Sequence, residues 1–161
     1  MMRIGHGFDA HPLVLGRRLV LGGVTVPFAR GAMGHSDADV LAHAISDALL
    51  GAAALGDLGG HFPDGDPRWK GADSMELLAS CAAEVRAAGY AIGNVDATIV
   101  VDRPKLAHHV ARMRDNVAAR LGVDETAVSV KAKSSEGLGY TGDGSGIAAY
   151  AVVLIAPEKS A

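Results

Sequence analysis

Ile147 to Ile155 is a run of nine residues without a polar side chain other than the Tyr150 hydroxyl. A strand projects successive side chains to opposite faces, so a strand of this composition is apolar on both and must be covered on both. At 161 residues the chain suits one domain with one core. Three amphipathic helices can cover one side of a small sheet. The other apolar side then needs a partner, most simply further copies of the same chain. The expectation is an α+β single domain spanning 1–161, with a small mixed β-sheet, helices packed on one face and the other face buried in a homo-oligomer.

Arg3 to Phe8 reads as a first strand that delivers Asp9-Ala10-His11 to its end, with Pro12 blocking continuation. In an extended Asp-x-His both side chains share a face, so two metal-competent groups converge. Leu19–Leu21 and Val24–Val26 read as a hairpin turning through Gly22-Gly23. The stretch from Gly34 to His43 reads as a loop entering a helix, with Ser36 as N-cap, Asp39 three residues later, and the helix running to about Gly51–Leu55. Asp47, one turn beyond His43, is expected to hydrogen-bond its imidazole and fix the tautomer. A surface His–Asp pair on a capped helix is the plainer alternative. Free N–H groups at the helix start, beside His35 and Ser36, suit an anion.

Gly56 to Pro67, rich in Gly, Pro and Asp, reads as a binding lid. Asp73 to Ala88 reads as a helix capped by Asp73, with Met75, Leu78, Ala82 and Val85 inward and Gly89 as stop. Val95 to Val101 alternates as a strand. Lys105 to Leu121 reads as a helix with Lys105 in its first turn, where the dipole disfavours a cation; either the side chain reaches solvent or an anion binds there. His108 and His109 read as its solvated face, and His6 as a packed strand residue. A strand over Ala127–Lys133 precedes the Gly-rich loop Ser134 to Gly146.

With seven aromatic residues, the core must come from Ala, Val, Leu and Ile. A net charge of −3 gives no basic footprint and argues against nucleic acid as a partner. The single Cys81 falls on an apolar helix side and reads as a structural thiol in a reducing compartment. No segment has the length of apolar residues a membrane span requires, and no apolar leader opens the chain, so a cytoplasmic protein without a membrane partner is expected.

Asp9, His11 and His43 make a carboxylate and two imidazoles, a set suited to zinc with its fourth position open. Neither Ser134 nor Ser135 has an adjacent base, and the loops offer backbone N–H groups, hydroxyls and Lys, which suit phosphates better than acyl transfer. A zinc phosphohydrolase and a non-catalytic trimeric binding protein with structural zinc would use the same three residues.

The motifs Gly5-His6-Gly7-Phe8-Asp9-Ala10-His11, His35-Ser36-Asp37, Asp47-Ala48-Leu49-Leu50-Gly51-Ala52, Leu55-Gly56-Asp57, Phe62-Pro63-Asp64, Gly93-Asn94-Val95-Asp96, Arg103-Pro104-Lys105 and Glu136-Gly137-Leu138-Gly139 occur in this order. Together they resemble the 2-C-methyl-D-erythritol 2,4-cyclodiphosphate synthases of the non-mevalonate isoprenoid pathway. The resemblance implies a homotrimer with active sites between subunits. It also implies a reaction in which the 2-phosphate of 4-diphosphocytidyl-2-C-methyl-D-erythritol 2-phosphate attacks the β-phosphorus, closing a cyclic diphosphate and expelling CMP, a phosphorus–oxygen lyase activity.

By the same resemblance, Asp9, His11 and His43 would hold Zn2+ or a similar ion, and Glu136 a Mg2+ or Mn2+ at the diphosphate. His35 and Ser134 would stabilise the transition state. Asp57, Leu58, Gly59, Phe62, Pro63, Asp64, Gly65 and Asp66 would hold the erythritol end. Val101, Pro104, Lys105, Leu106 and Ala107 would receive cytidine from the neighbouring subunit, and Ser36, Lys133, Ser135 and Tyr140 would also lie near substrate. Two positions depart from the pattern. Lys133 stands where many relatives carry Thr, and Asp143 where some carry an Arg for isoprenoid diphosphates, a ligand that an acidic residue would repel.

Overall fold

The computed structural model describes residues 1–158. Seven strands form: β1 (Arg3–Leu15), β2 (Leu19–Leu21), β3 (Val24–Val26), β4 (Arg30–Ala32), β5 (Tyr90–Val100), β6 (Val128–Lys133) and β7 (Gly146–Pro157). Five helices accompany them: α1 (Val40–Ala53), the single turn α2 (Leu58–His61), α3 (Ser74–Ala87), α4 (Val110–Leu121) and the single turn α5 (Gly139–Gly142). One sheet has the order β4-β1-β7-β5-β6, antiparallel except for the parallel β5–β6 pair, and β2–β3 stand apart as a hairpin. The result is a single α+β domain with a mixed sheet.

The sheet's inner face meets α1 most closely. On β1, Gly5 and Gly7 face that helix, and a Cβ on either would collide with the carbonyl oxygens of Ala48 and Ala44. Glycine on the strand and alanine on the helix therefore let the two backbones approach closely. Residues 9 and 11 share the parity of 5 and 7, so Asp9 and His11 point to the same side as α1. Nearly every residue of α1 is buried, including Leu41, Ile45 and Leu49, so it is a core helix rather than an amphipathic one.

On the outer face of the sheet, Ile4 is 73% exposed, Phe8 43%, Tyr150 42% and Val152 44%. His6 stands among them, exposed rather than packed, because it shares the outward parity of Ile4 and Phe8.

Local expectations hold in several places. Gly22 and Gly23 both adopt positive φ, as a two-residue hairpin turn requires. Asp73 caps α3 by accepting from Met75 N, and Met75, Leu78, Ala82 and Val85 are buried.

Elsewhere the structure differs. Pro12 does not end β1: it sits at the last register pair with β7, opposite Gly146, and β1 then takes β4 as partner from Leu13. Helix α1 starts at Val40, with Asp39 rather than Ser36 as its cap, because Ala38 adopts φ of 57° and no helix passes through it. Helix α4 starts at Val110, so Lys105, His108 and His109 precede it and the dipole argument at Lys105 does not apply. The stretch from Gly56 to Pro67 contains α2, capped by Asp57, which accepts from Gly60 N. Cys81 is buried, and burial pushes its thiol up to about 12.

Candidate metal centre and adjoining cavities

Asp9 and His11 come from β1 and His43 from the first turn of α1. Asp9 Oδ2 lies 2.9 Å from His43 Nδ1 and 2.9 Å from His11 Nε2, and the two nitrogens are 3.3 Å apart. Tetrahedral zinc with bonds of about 2.0–2.1 Å has ligand–ligand edges of about 3.3–3.4 Å, so three donor atoms already stand near the spacing one ion needs. Carboxylate plus two imidazoles is the chemistry of a catalytic-type site with a position left for a further ligand. The residues present therefore fit a divalent metal.

The electrostatics agree. Burial would raise Asp9, but hydrogen bonds and charge from His11 and His43 outweigh it and hold the carboxyl down at about 2. Burial would depress His43, yet Asp9, with Asp39 and Asp37 behind it, leaves its pKa above the ordinary value.

Asp47 does not hold His43. Its Oδ1 accepts from Leu58 N at 2.7 Å, so it anchors the start of α2, while burial raises its pKa. The partners of His43 Nε2 are instead Ser74 Oγ at 2.8 Å and Ser36 Oγ at 3.2 Å. Ser74 in turn donates to Asp37. No local spacing announces Ser74, which lies 31 residues further on; its one signal is its place just after the Asp73 cap.

A cavity of about 370 Å³ opens on the cluster. Its lining includes His35, Ser36, Asp47, Leu58, Gly59, Phe62 and Asp64, which the sequence had singled out, together with Trp69 and Leu77, which it had not. Phe62 packs edge-on against Trp69, with centroids 4.9 Å apart. His35 Nε2 and Trp69 Nε1 are buried without a hydrogen-bond partner, a cost of about 1–3 kcal/mol each unless a ligand meets them. Pro63, Gly65 and Asp66 lie outside this lining, and Asp66 is bound to Arg68.

A second cavity, about 570 Å³, is lined by Val101, Pro104, Lys105, Leu106, Ala107, Lys133 and Ser134, with Lys131 added. It shares no residue with the first. Ser135 and Tyr140 line a third, of about 350 Å³, and Glu136 is exposed. Asp102 organises this region: it accepts from Ser134 Oγ at 2.8 Å, Ser135 N at 2.7 Å and Gly137 N at 2.8 Å, bonds that hold its carboxyl below the usual range. Sequence reading missed Asp102, whose partners lie more than 30 residues away. Within one chain the metal cluster and the segment 101–107 therefore line separate cavities.

The model of the YgbB family matches residues 2–156. The 2-C-methyl-D-erythritol 2,4-cyclodiphosphate synthase of Trichlorobacter lovleyi is 59% identical over 98% of this chain and 100% of its own length. A solved 2C-methyl-D-erythritol-2,4-cyclodiphosphate synthase in a CDP-bound form aligns with a TM-score of 0.88 at 40% identity, covering 96% of this chain and all of that one. The bifunctional IspDF of Campylobacter jejuni aligns with a TM-score of 0.93 at 41% identity over 96% of this chain, which spans 42% of that longer protein.

Proposed function

The chain belongs to the YgbB family, and from that membership we infer that it converts 4-diphosphocytidyl-2-C-methyl-D-erythritol 2-phosphate to 2-C-methyl-D-erythritol 2,4-cyclodiphosphate and CMP, a phosphorus–oxygen lyase reaction of isoprenoid biosynthesis. The observation that carries the reading is the Asp9–His11–His43 cluster at the mouth of a cavity whose walls hold unpartnered nitrogens. A phosphate monoester is largely dianionic at neutral pH, with a second pKa of about 6, so the attacking group needs no general base. The protein has to align reactants and stabilise charge. That demand suits a site without a nucleophile–base pair.

A divalent ion held by Asp9, His11 and His43, zinc in our reading, supplies positive charge to the phosphates when bound. His35, with its unpartnered Nε2, donates to oxygens that gain charge during transfer, and Ser134 does so by turning its hydroxyl hydrogen from Asp102 to the substrate. Leu58, Gly59, Phe62 and Asp64 enclose the erythritol end beside Ser36, with Asp57 capping α2; Pro63, Gly65 and Asp66, outside the lining in this structure, would join them when substrate is bound. Val101, Pro104, Lys105, Leu106, Ala107 and Lys133 receive the cytidine end, and Ser135 and Tyr140 adjoin it. Glu136, exposed and held at φ of 55° beside Asp102's turn, would hold a magnesium or manganese ion that would offset phosphate charge.

Because the two cavities of one chain share no lining residue, the complete site is assembled between neighbours in a homotrimer, with the exposed apolar face around Phe8, Tyr150 and Val152 turned inward. The setting proposed is the cytoplasm. The test is CMP release from the cytidine diphosphate substrate in 18O-labelled water. Release that stops on chelation and in His43→Ala, with no label in the cyclic product, supports intramolecular attack; label in a linear product marks hydrolysis and overturns it.

A further inference from the structure

His43 turns one ring nitrogen to the metal cluster and the other to Ser74, and the bonds beyond Ser74 decide which nitrogen carries hydrogen. Ser74 is the first residue of α3 and is fully buried. Its Oγ lies 2.8 Å from His43 Nε2 and donates to Asp37 Oδ1. A hydroxyl has one hydrogen and a carboxylate only accepts, so Ser74 meets His43 as an acceptor. Ser36 Oγ accepts from Ala38 N and stands 3.3 Å from Ser74 Oγ and 3.2 Å from His43 Nε2. Facing an acceptor, Nε2 is the nitrogen that carries hydrogen when Nδ1 gives its lone pair to a cation. Nδ1 lies 2.9 Å from Asp9 Oδ2 and 3.3 Å from His11 Nε2; without a metal it donates to the Asp9 carboxylate, and a cation takes the place of that hydrogen.

We propose that Asp37 and Ser74 are positioning residues, a relay that locks His43 in the tautomer whose Nδ1 binds a divalent cation. This rests on the metal reading above. Asp37 is itself fixed: its Oδ2 accepts from Ser74 N at 3.2 Å, its Oδ1 from Asp39 N at 3.2 Å, and its own N–H donates to Ala72 O at 3.1 Å. The relay thus ties the segment before α1 to the start of α3, and rotating the imidazole would break bonds on both sides of it. Such outer partners fix ring orientation and ligand basicity at metal sites.

Asp37→Asn replaces one of two carboxylate oxygens that each accept a backbone N–H, Oδ1 from Asp39 and Oδ2 from Ser74, so the amide NH2 opposes one of these donors and the relay loosens.

The experiment uses full-length chain stripped of metal, with zinc and cobalt(II) as probes in competition with a chromophoric chelator. Ser74→Ala should weaken binding by about 10–100-fold, Ser74→Thr should restore most of it, and Asp37→Asn should also weaken it. Histidine 15N spectra of the zinc-loaded chain should show His43 bound through Nδ1 with a slowly exchanging hydrogen on Nε2, and that exchange should quicken in Asp37→Asn. Melting of the metal-free variants identifies any that fail to fold; should Ser74→Ala be one, the wild-type and Asp37→Asn spectra decide. Wild-type affinity in both Ser74→Ala and Asp37→Asn, or a metal-bound Nε2 in wild type, overturns the proposal. Wild-type affinity in His43→Ala removes the metal reading instead, and the relay with it.

Discussion

Substituting Gly7 by Ala tests how tightly the β1–α1 contact controls the metal centre. A Cβ at Gly7 would stand 2.7 Å from Ala48 N and nearer still to the Ala44 carbonyl oxygen, where ordinary contact begins at 3.4 Å. Both opponents are helix backbone, so no side chain can swing aside. Relieving the contact with Ala48 N alone moves α1 from β1 by at least about 0.7 Å. Since β1 carries Asp9 and His11 and α1 carries His43, a shift of about 0.7 Å along their donor separations of 2.9 and 3.3 Å would open them to about 3.6 and 4.0 Å, past the tetrahedral edge of about 3.3–3.4 Å. Overpacking against rigid backbone also costs about 3 kcal/mol or more. Urea unfolding followed by circular dichroism reads the stability, and zinc competition reads the site. Gly7→Ala should lower the unfolding midpoint and weaken zinc binding together. Wild-type values for both would refute the idea that glycine sets the spacing of the ligands.

Four further outcomes follow from the same geometry. Asp39 accepts from Gly22 N, Gly23 N and Ala42 N, so Asp39→Ala strands three donors and should cost about 3 kcal/mol or more in urea unfolding. In the metal-free chain, Asp9 titrates at about 2 against an ordinary 3.8, so its contribution of about 2 kcal/mol is present above pH 3.8 and lost as pH falls toward 2; the stability gap between wild type and Asp9→Asn, full at pH 5, should close across that window. Cys81, pushed up to about 12, should resist alkylation at pH 8 until the chain is unfolded. If the proposed trimer forms through the exposed apolar face, Val152→Asp should reduce the sedimenting species from three chains to one of 16.4 kDa.

How much of this was legible in the sequence depends on the range of each interaction. The Gly22-Gly23 turn and the Asp73 cap involve neighbours a few residues apart, and both are where the pattern puts them. The period of a strand alone brings Asp9 and His11 to one face, and that reading survives although β1 runs six residues past Asp9. The α1 cap was misread because Asp39 serves two masters: it caps α1 and also holds the hairpin N–H groups 16 and 17 residues earlier, which no local rule reveals. Helical spacing points from His43 to Asp47, whereas the hydroxyls that reach Nε2 come from Ser74 and Ser36 across the fold. Asp102, with four bonds into the segment from Ser134 to Gly137, was missed for the same reason.

The central claim is that two side chains from β1 and one from α1 share a single ion. Anomalous diffraction at the zinc edge from zinc-soaked crystals tests it most directly. The account predicts a peak about 2.0–2.2 Å from Asp9 Oδ2, His11 Nε2 and His43 Nδ1 together. A peak bound by other residues, or zinc absent from this cluster at full soak, would contradict it.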